Sequence, residues 1–261
     1  MVDPSLLLIR GIAGAAMVLT VTALAERAGP RVAGVLMAFP TMTAINLHFI
    51  GLSHDATFAA ESATWNPVGL TADVFFVLAY VACCRLATGN SRRTEVAIAL
   101  IGALAVLVTS VWTLEAIAPA AFMGRLAVLA FAIGVLAFLT RDIPDKSTTL
   151  VGRGALVPRA LFAGLVVAGV TLAADMLGPA WGGLLSAFPG TILPVLVLLH
   201  LAHGHEVTDS VVKHSWSGFS STGVYAFMIA NLYPVWGVWA GTATSLVGAT
   251  LVALVLNLIR K

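Results

Sequence analysis

Long stretches with apolar residues on every helical face alternate with short clusters of charge, proline and turn residues. Nine windows carry the length and hydropathy of a membrane span: 5–25, 32–53, 67–88, 94–117, 121–140, 157–177, 181–202, 211–232 and 235–258. A spanning helix needs about 20 mostly apolar residues. In hydrocarbon the backbone must satisfy its own hydrogen bonds, so each window predicts a helix. The strict alternation of barrel strands is absent. The pattern predicts an all-α polytopic membrane protein with about nine transmembrane helices.

Composition narrows the class. Of 261 residues, 59% are apolar and 10% charged, and mean hydropathy is +0.99. Soluble domains carry about 25% charge. The net charge of +2 gives no electrostatic footprint for nucleic acid. Cys83 and Cys84 are chain neighbours, which rarely bridge, so no disulfide framework is expected. The lipid bilayer is the expected partner.

Arginine and lysine set the expected orientation, because positive loops stay cytoplasmic. One face collects Arg27, Arg31, Arg85, Arg92, Arg93, Arg141, Lys146, Arg153, Arg159, Lys213, Arg260 and Lys261; the other holds Arg10 and Arg125. This split predicts a multi-pass protein of the plasma (inner) membrane, N-terminus outside and C-terminus cytoplasmic. Ala23-Leu24-Ala25 has the look of a signal cleavage site, but only Asp3 precedes Arg10 where a basic region belongs. The segment is read as the first span.

The chain repeats itself. ERAGPRVAGVLMAFP at 26–40 aligns with DMLGPAWGGLLSAFP at 175–189, an offset of 149 residues. The same register carries His54 onto His203, Gly69 onto Gly218, Thr71 onto Ser220 and Phe76 onto Tyr225. It divides the chain into a first four-helix repeat (1–118), a linker helix with its loop (119–155) and a second four-helix repeat (156–261). Five spans separate equivalent helices, and an odd number inverts the second copy. The expected arrangement is therefore 4+1+4, two inverted halves about an in-plane pseudo-two-fold axis, a frequent transporter design.

The motif following the first short helix of each half, AGVLMAFPTMTAINLH at 33–48 and GGLLSAFPGTILPVLVLLH at 182–200, resembles the small bacterial GlpM-like membrane proteins. Members of that family look like single four-helix units, and this chain looks like two of them fused through a fifth helix. The resemblance implies a bacterial membrane protein of envelope or polysaccharide traffic and transfers no catalytic residue.

The Phe-Pro steps fall at matched depths. Pro40 follows Arg31 by about 13–14 Å of helix, and Pro189 follows Pro179 by about 15 Å, each near the middle of a ~30 Å core. Proline removes a helix hydrogen bond, so spans 2 and 7 are expected to break there. Small polar groups follow: Thr41, Thr43 and Asn46 in one copy, Gly190 and Thr191 in the other. With Phe39, Pro40, Phe188 and Pro189 they form the expected substrate site; the competing reading is two packed proline kinks. Asp73 is the one acid deep in a span, and its repeat mate is Thr222. Intramembrane acids are expensive and usually functional, so Asp73 is the candidate coupling residue; a structural hydrogen bond is the alternative. Ser217, Ser220 and Ser221 share a helical face that either lines a cavity or glues helices.

Other chemistry recedes. His200, His203 and His205 precede Glu206 and Asp209, but a run through a turn does not converge on one ion, and no metal is assigned. Glu26 and Asp175 read as caps or as latches. GVWAG at 237–241 suits internal packing or a homodimer. No phosphate-binding loop, nucleophile elbow, HExxH or CxxC occurs, so neither an enzyme nor a cofactor is expected. The favoured expectation is a secondary transporter of a small solute or ion, proton-coupled through Asp73. The alternatives are a passive channel and a non-transporting envelope scaffold.

Overall fold

The computed structural model describes residues 9, 11–16, 20, 39–146 and 156–259. Among these every regular element is helical. In chain order they are α1 (Thr41–Ser53), α2 (Ala56–Leu86), α3 (Arg92–Ile117), α4 (Phe122–Thr140), α5 (Leu156–Leu177), α6 (Pro179–Ser186), α7 (Ile192–His203) and α8 (His205–Ile259). By length and composition α2, α3, α4 and α8 are each able to cross a membrane. Most of the expected first span, the 32–38 part of the second, and Glu26 lie outside the described residues.

The helix ends follow local chemistry. Asp55 caps α2 by accepting the Phe58 N–H, and Ser91 caps α3 by accepting the Thr94 N–H. Each satisfies a backbone donor that the first turn leaves orphaned. The Asp55 cap corrects the span expected at 67–88. The helix begins at Ala56 and runs through Pro67 for 31 residues, about 46 Å. Pro67 is accommodated in a fully buried stretch where Thr71 donates its hydroxyl hydrogen to the Pro67 carbonyl.

α8 holds two of the expected spans. Its 55 residues fold back at Gly237, whose φ of 72° and ψ of 177° belong to glycine alone. The arms, 205–236 and 238–259, lie antiparallel: Gly241 packs on Tyr233, Gly248 on Met228, and Ser221 donates to the Ala249 carbonyl. The GVWAG step thus serves the packing of α8 on itself.

Helix α2 is the hub, packed by α3, α4, α6 and α8. Its approach to α6 is backbone on backbone. A Cβ on Gly183 would lie 1.9 Å from the Ser62 carbonyl oxygen, and one on Gly69 would lie 2.3 Å from that of Leu184. Many large apolar side chains also face outward. Ile101, Trp112, Phe131, Leu165, Leu251 and Leu254 are exposed on α3, α4, α5 and the second arm of α8. Polar residues take the interior: Thr43, Asn46, Asn66, Asp73, Ser186 and Thr191 are all buried.

The helix bounds follow the sequence register. Moving Thr41–Ser53 and Ala56–Leu86 along by 149 residues gives 190–202 and 205–235. The observed elements there are α7, Ile192–His203, and the first arm of α8, 205–236.

Candidate functional site

The second Phe-Pro step is a true break. α6 stops at Ser186, α7 starts at Ile192, and the segment between is held by its own turns. The Phe188 N–H donates to the Leu185 carbonyl at 3.0 Å and the Gly190 N–H to the Phe188 carbonyl at 2.6 Å. The Leu193 N–H then reaches the Pro189 carbonyl at 3.0 Å and opens α7. Proline forces the change, having no N–H to donate. At the first step the Thr41 N–H donates to the Phe39 carbonyl at 2.6 Å and the Ala44 N–H to the Pro40 carbonyl at 2.7 Å. These are the same two bonds, displaced by 149 residues. Both prolines are buried.

The steps meet. Met42 packs its methyl group over Gly190, with the position of an added Cβ 2.7 Å from Met42 Cε. Between them lies a cavity of about 30 Å3. Phe39, Thr43, Phe188, Pro189, Thr191 and Asp73 line it, together with Thr222, the repeat mate of Asp73. Met42, Leu70, Ala187, Ile192 and Phe219 complete the wall. Asp73, Thr191 and Thr222 keep only 4%, 5% and 2% of their exposure. Among the described residues no arginine, lysine, histidine or second acid lines the cavity.

The other expected site residues surround it or leave it. The Thr41 hydroxyl turns back on the Phe39 carbonyl. Thr43 Oγ1 and Asn46 Nδ2 both donate to the Ser186 carbonyl, each at 3.3 Å, and so bridge α1 to the end of α6. The three serines do not act as one face. Ser217 donates to the His214 carbonyl, Ser221 to the Ala249 carbonyl, and Ser220 lines a separate apolar hollow between α4 and α8.

Two buried clusters escape a reading from sequence. Asn66 Nδ2 donates to Ser186 Oγ at 2.8 Å, which donates onward to the Gly183 carbonyl at 2.7 Å. Asn66 immediately before Pro67 in an apolar run was the only signal. Nearer the far end of α2, His200 is fully buried beside Tyr80 Oη at 3.2 Å and Cys84 Sγ at 3.5 Å. Asp175 is a latch: its Oδ1 meets His54 Nε2 at 2.7 Å, linking the end of α5 to the turn between α1 and α2. Among the described residues no group of three or more His, Cys, Asp or Glu side chains is placed to hold a metal ion.

No family model, curated protein or solved structure matches the chain.

Proposed function

We propose that the chain is an inner-membrane secondary transporter of a small solute or ion, working by alternating access. It is built from two inverted units, 1–118 and 156–261, joined through 119–155, each a GlpM-like unit. The observation that carries this reading is the cavity at which both Phe-Pro steps meet a buried acid, Asp73. Broken helices meeting at the centre of a repeat protein are where such folds bind their cargo.

Other features agree. The periphery of the bundle is apolar while many polar residues are buried inside it, a distribution a lipid solvent favours. Trp112 packs edge-on against Trp181, Trp65 lies under Arg125 near the start of α2, and tryptophan concentrates at membrane interfaces. Among the described residues Arg85, Arg92, Lys146 and Lys213 lie towards the other end of α2, the cytoplasmic one on this reading. The repeated backbone bonds at the two steps give each half the same hinge, and exchange of conformers between inverted halves is the mechanical basis of alternating access. A site about one water molecule in volume suits an occluded state better than a conducting pore.

Asp73 then carries the coupling proton, bound while the site is occluded and released when it opens to water. The test is reconstitution of the full chain into liposomes loaded with a pH-sensitive dye, under imposed gradients of sugars, amino acids and inorganic ions. A gradient that drives proton movement through wild type and not through Asp73→Asn, at matched folded protein, supports the reading. Equal movement through both removes Asp73 and favours a channel. No movement under any gradient favours a scaffold.

A further inference from the structure

We propose that the cavity between the Phe-Pro steps is a monovalent cation site, in which the Asp73 carboxylate and threonine hydroxyls exchange a proton for one small alkali ion. The inference rests on the transport reading only for its purpose; the site itself stands on the groups present.

Electrical balance comes first. Asp73 is 4% exposed, and no hydrogen bond or ion pair reaches it among the described residues. Among the described residues it is the only titratable group lining the cavity. Helix α1 contributes Met42 and Thr43, the 187–191 segment Ala187, Phe188, Pro189 and Thr191, α7 Ile192, and α8 Phe219 and Thr222. A bare carboxylate is costly in such surroundings. A proton neutralises it, and so does one monovalent cation. A divalent ion would leave one positive charge uncompensated. In the exchange one proton leaves the carboxyl oxygen as one cation arrives, so the site stays neutral throughout.

The polar groups are set to accept. Thr43 Oγ1 donates its hydrogen to the Ser186 carbonyl and Thr222 Oγ1 donates to the Gly218 carbonyl at 3.0 Å. A hydroxyl has one hydrogen and two lone pairs, so Thr43 Oγ1 retains oxygen lone pairs for an occupant. Thr191 Oγ1 is buried without a hydrogen-bond partner. The backbone agrees: the N–H groups of Thr41, Ala44, Gly190 and Leu193 all point to carbonyls of the steps themselves. A cation finds a carboxylate and hydroxyl oxygens, the ligands hard cations prefer.

Volume sets the size. About 30 Å3 admits one water-sized body. Bare Na+, Li+ and K+ are each no larger than a water molecule and fit that space, whereas an organic cation such as choline does not.

The experiment uses the purified full chain in detergent, with thermal unfolding followed at pH 8 in NaCl, LiCl, KCl or choline chloride at constant ionic strength. A ligand that binds only the folded state raises its melting temperature. A saturable rise is expected with the alkali ions and none with choline. The half-saturating Na+ concentration is expected to rise about tenfold per pH unit once the proton holds the carboxyl, as one-for-one competition requires. Asp73→Asn and the near-isosteric Thr191→Val should abolish or strongly weaken the response, and equilibrium binding of radioactive Na+ to the same samples should fall in parallel. Equal responses to all four salts, or an Na+ response unchanged in both variants, overturns the proposal. The liposome assay separates the two readings. Proton-driven flux without cation-specific binding ends the cation site and leaves transport standing. Cation binding without flux under any gradient does the reverse.

Discussion

Around Phe39-Pro40 and Phe188-Pro189 the backbone repeats bond for bond, while the side chains diverge. Each step closes the same two hydrogen bonds, 149 residues apart. The first half brings to the centre a carboxyl, Asp73, and two amides, Asn46 and Asn66; its mates in the second half are Thr222, Val195 and Ser215. The second half answers with hydroxyls and a carbonyl, Thr191, Thr222 and the Ser186 oxygen. The backbone at the two steps is thus alike, while the side chains around the space between them differ. On the proposed transport reading, the shared geometry serves movement and the divergent side chains serve binding.

The largest effects are expected where the halves share a backbone contact. Gly183 and Gly69 have no space for a Cβ against the opposing carbonyls. Gly183→Val should prevent folding, and Gly69→Ala should cost about 3 kcal/mol or more, since overpacking a tight contact typically costs 1–3 kcal/mol and here the obstacle is backbone. Gly134, in α4 with nothing within 4 Å, is the control, and its change to Ala should be neutral or stabilising by under about 1 kcal/mol. The comparison sharpens at Gly218, the repeat mate of Gly69. If the halves pack alike, Gly218→Ala should lower yield and melting temperature as Gly69→Ala does. A tolerated Gly218→Ala would break the equivalence.

Next in size is the transfer of the acid. Asp73→Thr makes the two central positions alike and should abolish proton-driven flux with little loss of folded protein. Adding Thr222→Asp moves the carboxyl to the other half of the same cavity. Partial recovery of flux in the double variant is the expected outcome, because both residues line one space. Full activity in the single variant would show that the asymmetry carries no function.

A smaller effect belongs to the amide layer. Asn66→Ala removes the donor to Ser186 Oγ in a fully buried setting and should cost about 1–3 kcal/mol, read from denaturation in detergent. Its mate, Ser215, donates within its own helix to the Val212 carbonyl. Ser215→Ala should cost less than about 1 kcal/mol. Equal losses would place both halves under the same constraint.

Much of the architecture was legible because a bilayer reads sequence by length and hydropathy. The ends of α3, α4 and α5 lie within two residues of the expected windows. The break at Pro189 follows from the missing N–H, and the meeting of the steps from a repeat register that demands equal depth. The start of α2 was hidden because ATFAAESATWNP is neither apolar nor free of proline, and only the Asp55 cap shows that the helix begins there. Partners were hidden for a different reason. Periodicity tells which residues share a face but not which helix meets that face. So Ser217, Ser220 and Ser221 read as one surface yet have three different surroundings, and the Asn66–Ser186 bond joins residues 120 positions apart. The His54–Asp175 latch was half visible, as an acid at a turn without its histidine.

The smallest effects are expected where the chain does not repeat. After α4 the segment 141–146 straps onto α8: the Lys146 N–H donates to Ser210 Oγ at 3.2 Å, and Lys213 Nζ donates to the Ile143 carbonyl at 2.6 Å. Asp145 Oδ1 completes it, 3.0 Å from Lys213 Nζ and 3.1 Å from His214 Nε2. The hydrogen bond from Lys213, aided by His214 and partly opposed by desolvation, holds the Asp145 carboxyl below its usual range. A carboxyl whose folded pKa is depressed stabilises the fold above its unfolded value and loses that contribution as pH falls through the folded value. The side chain is 66% exposed, so screening keeps the contribution under about 1 kcal/mol. Proteolysis within 141–146 should therefore quicken by less than about fivefold as pH drops from 6 to 3, with Asp145→Asn already at the faster rate and pH-independent. The His54–Asp175 latch, at the opposite end of α2, joins the two halves instead of tying the linker to one of them. A double-mutant cycle there should give a coupling of similar size, about 0–1 kcal/mol. The two contacts separate by function: loosening the strap should leave flux unchanged, whereas His54→Ala should shift the balance of open states and alter flux at unchanged stability. Unchanged flux in both variants would confine the working asymmetry of the molecule to the cavity at its centre.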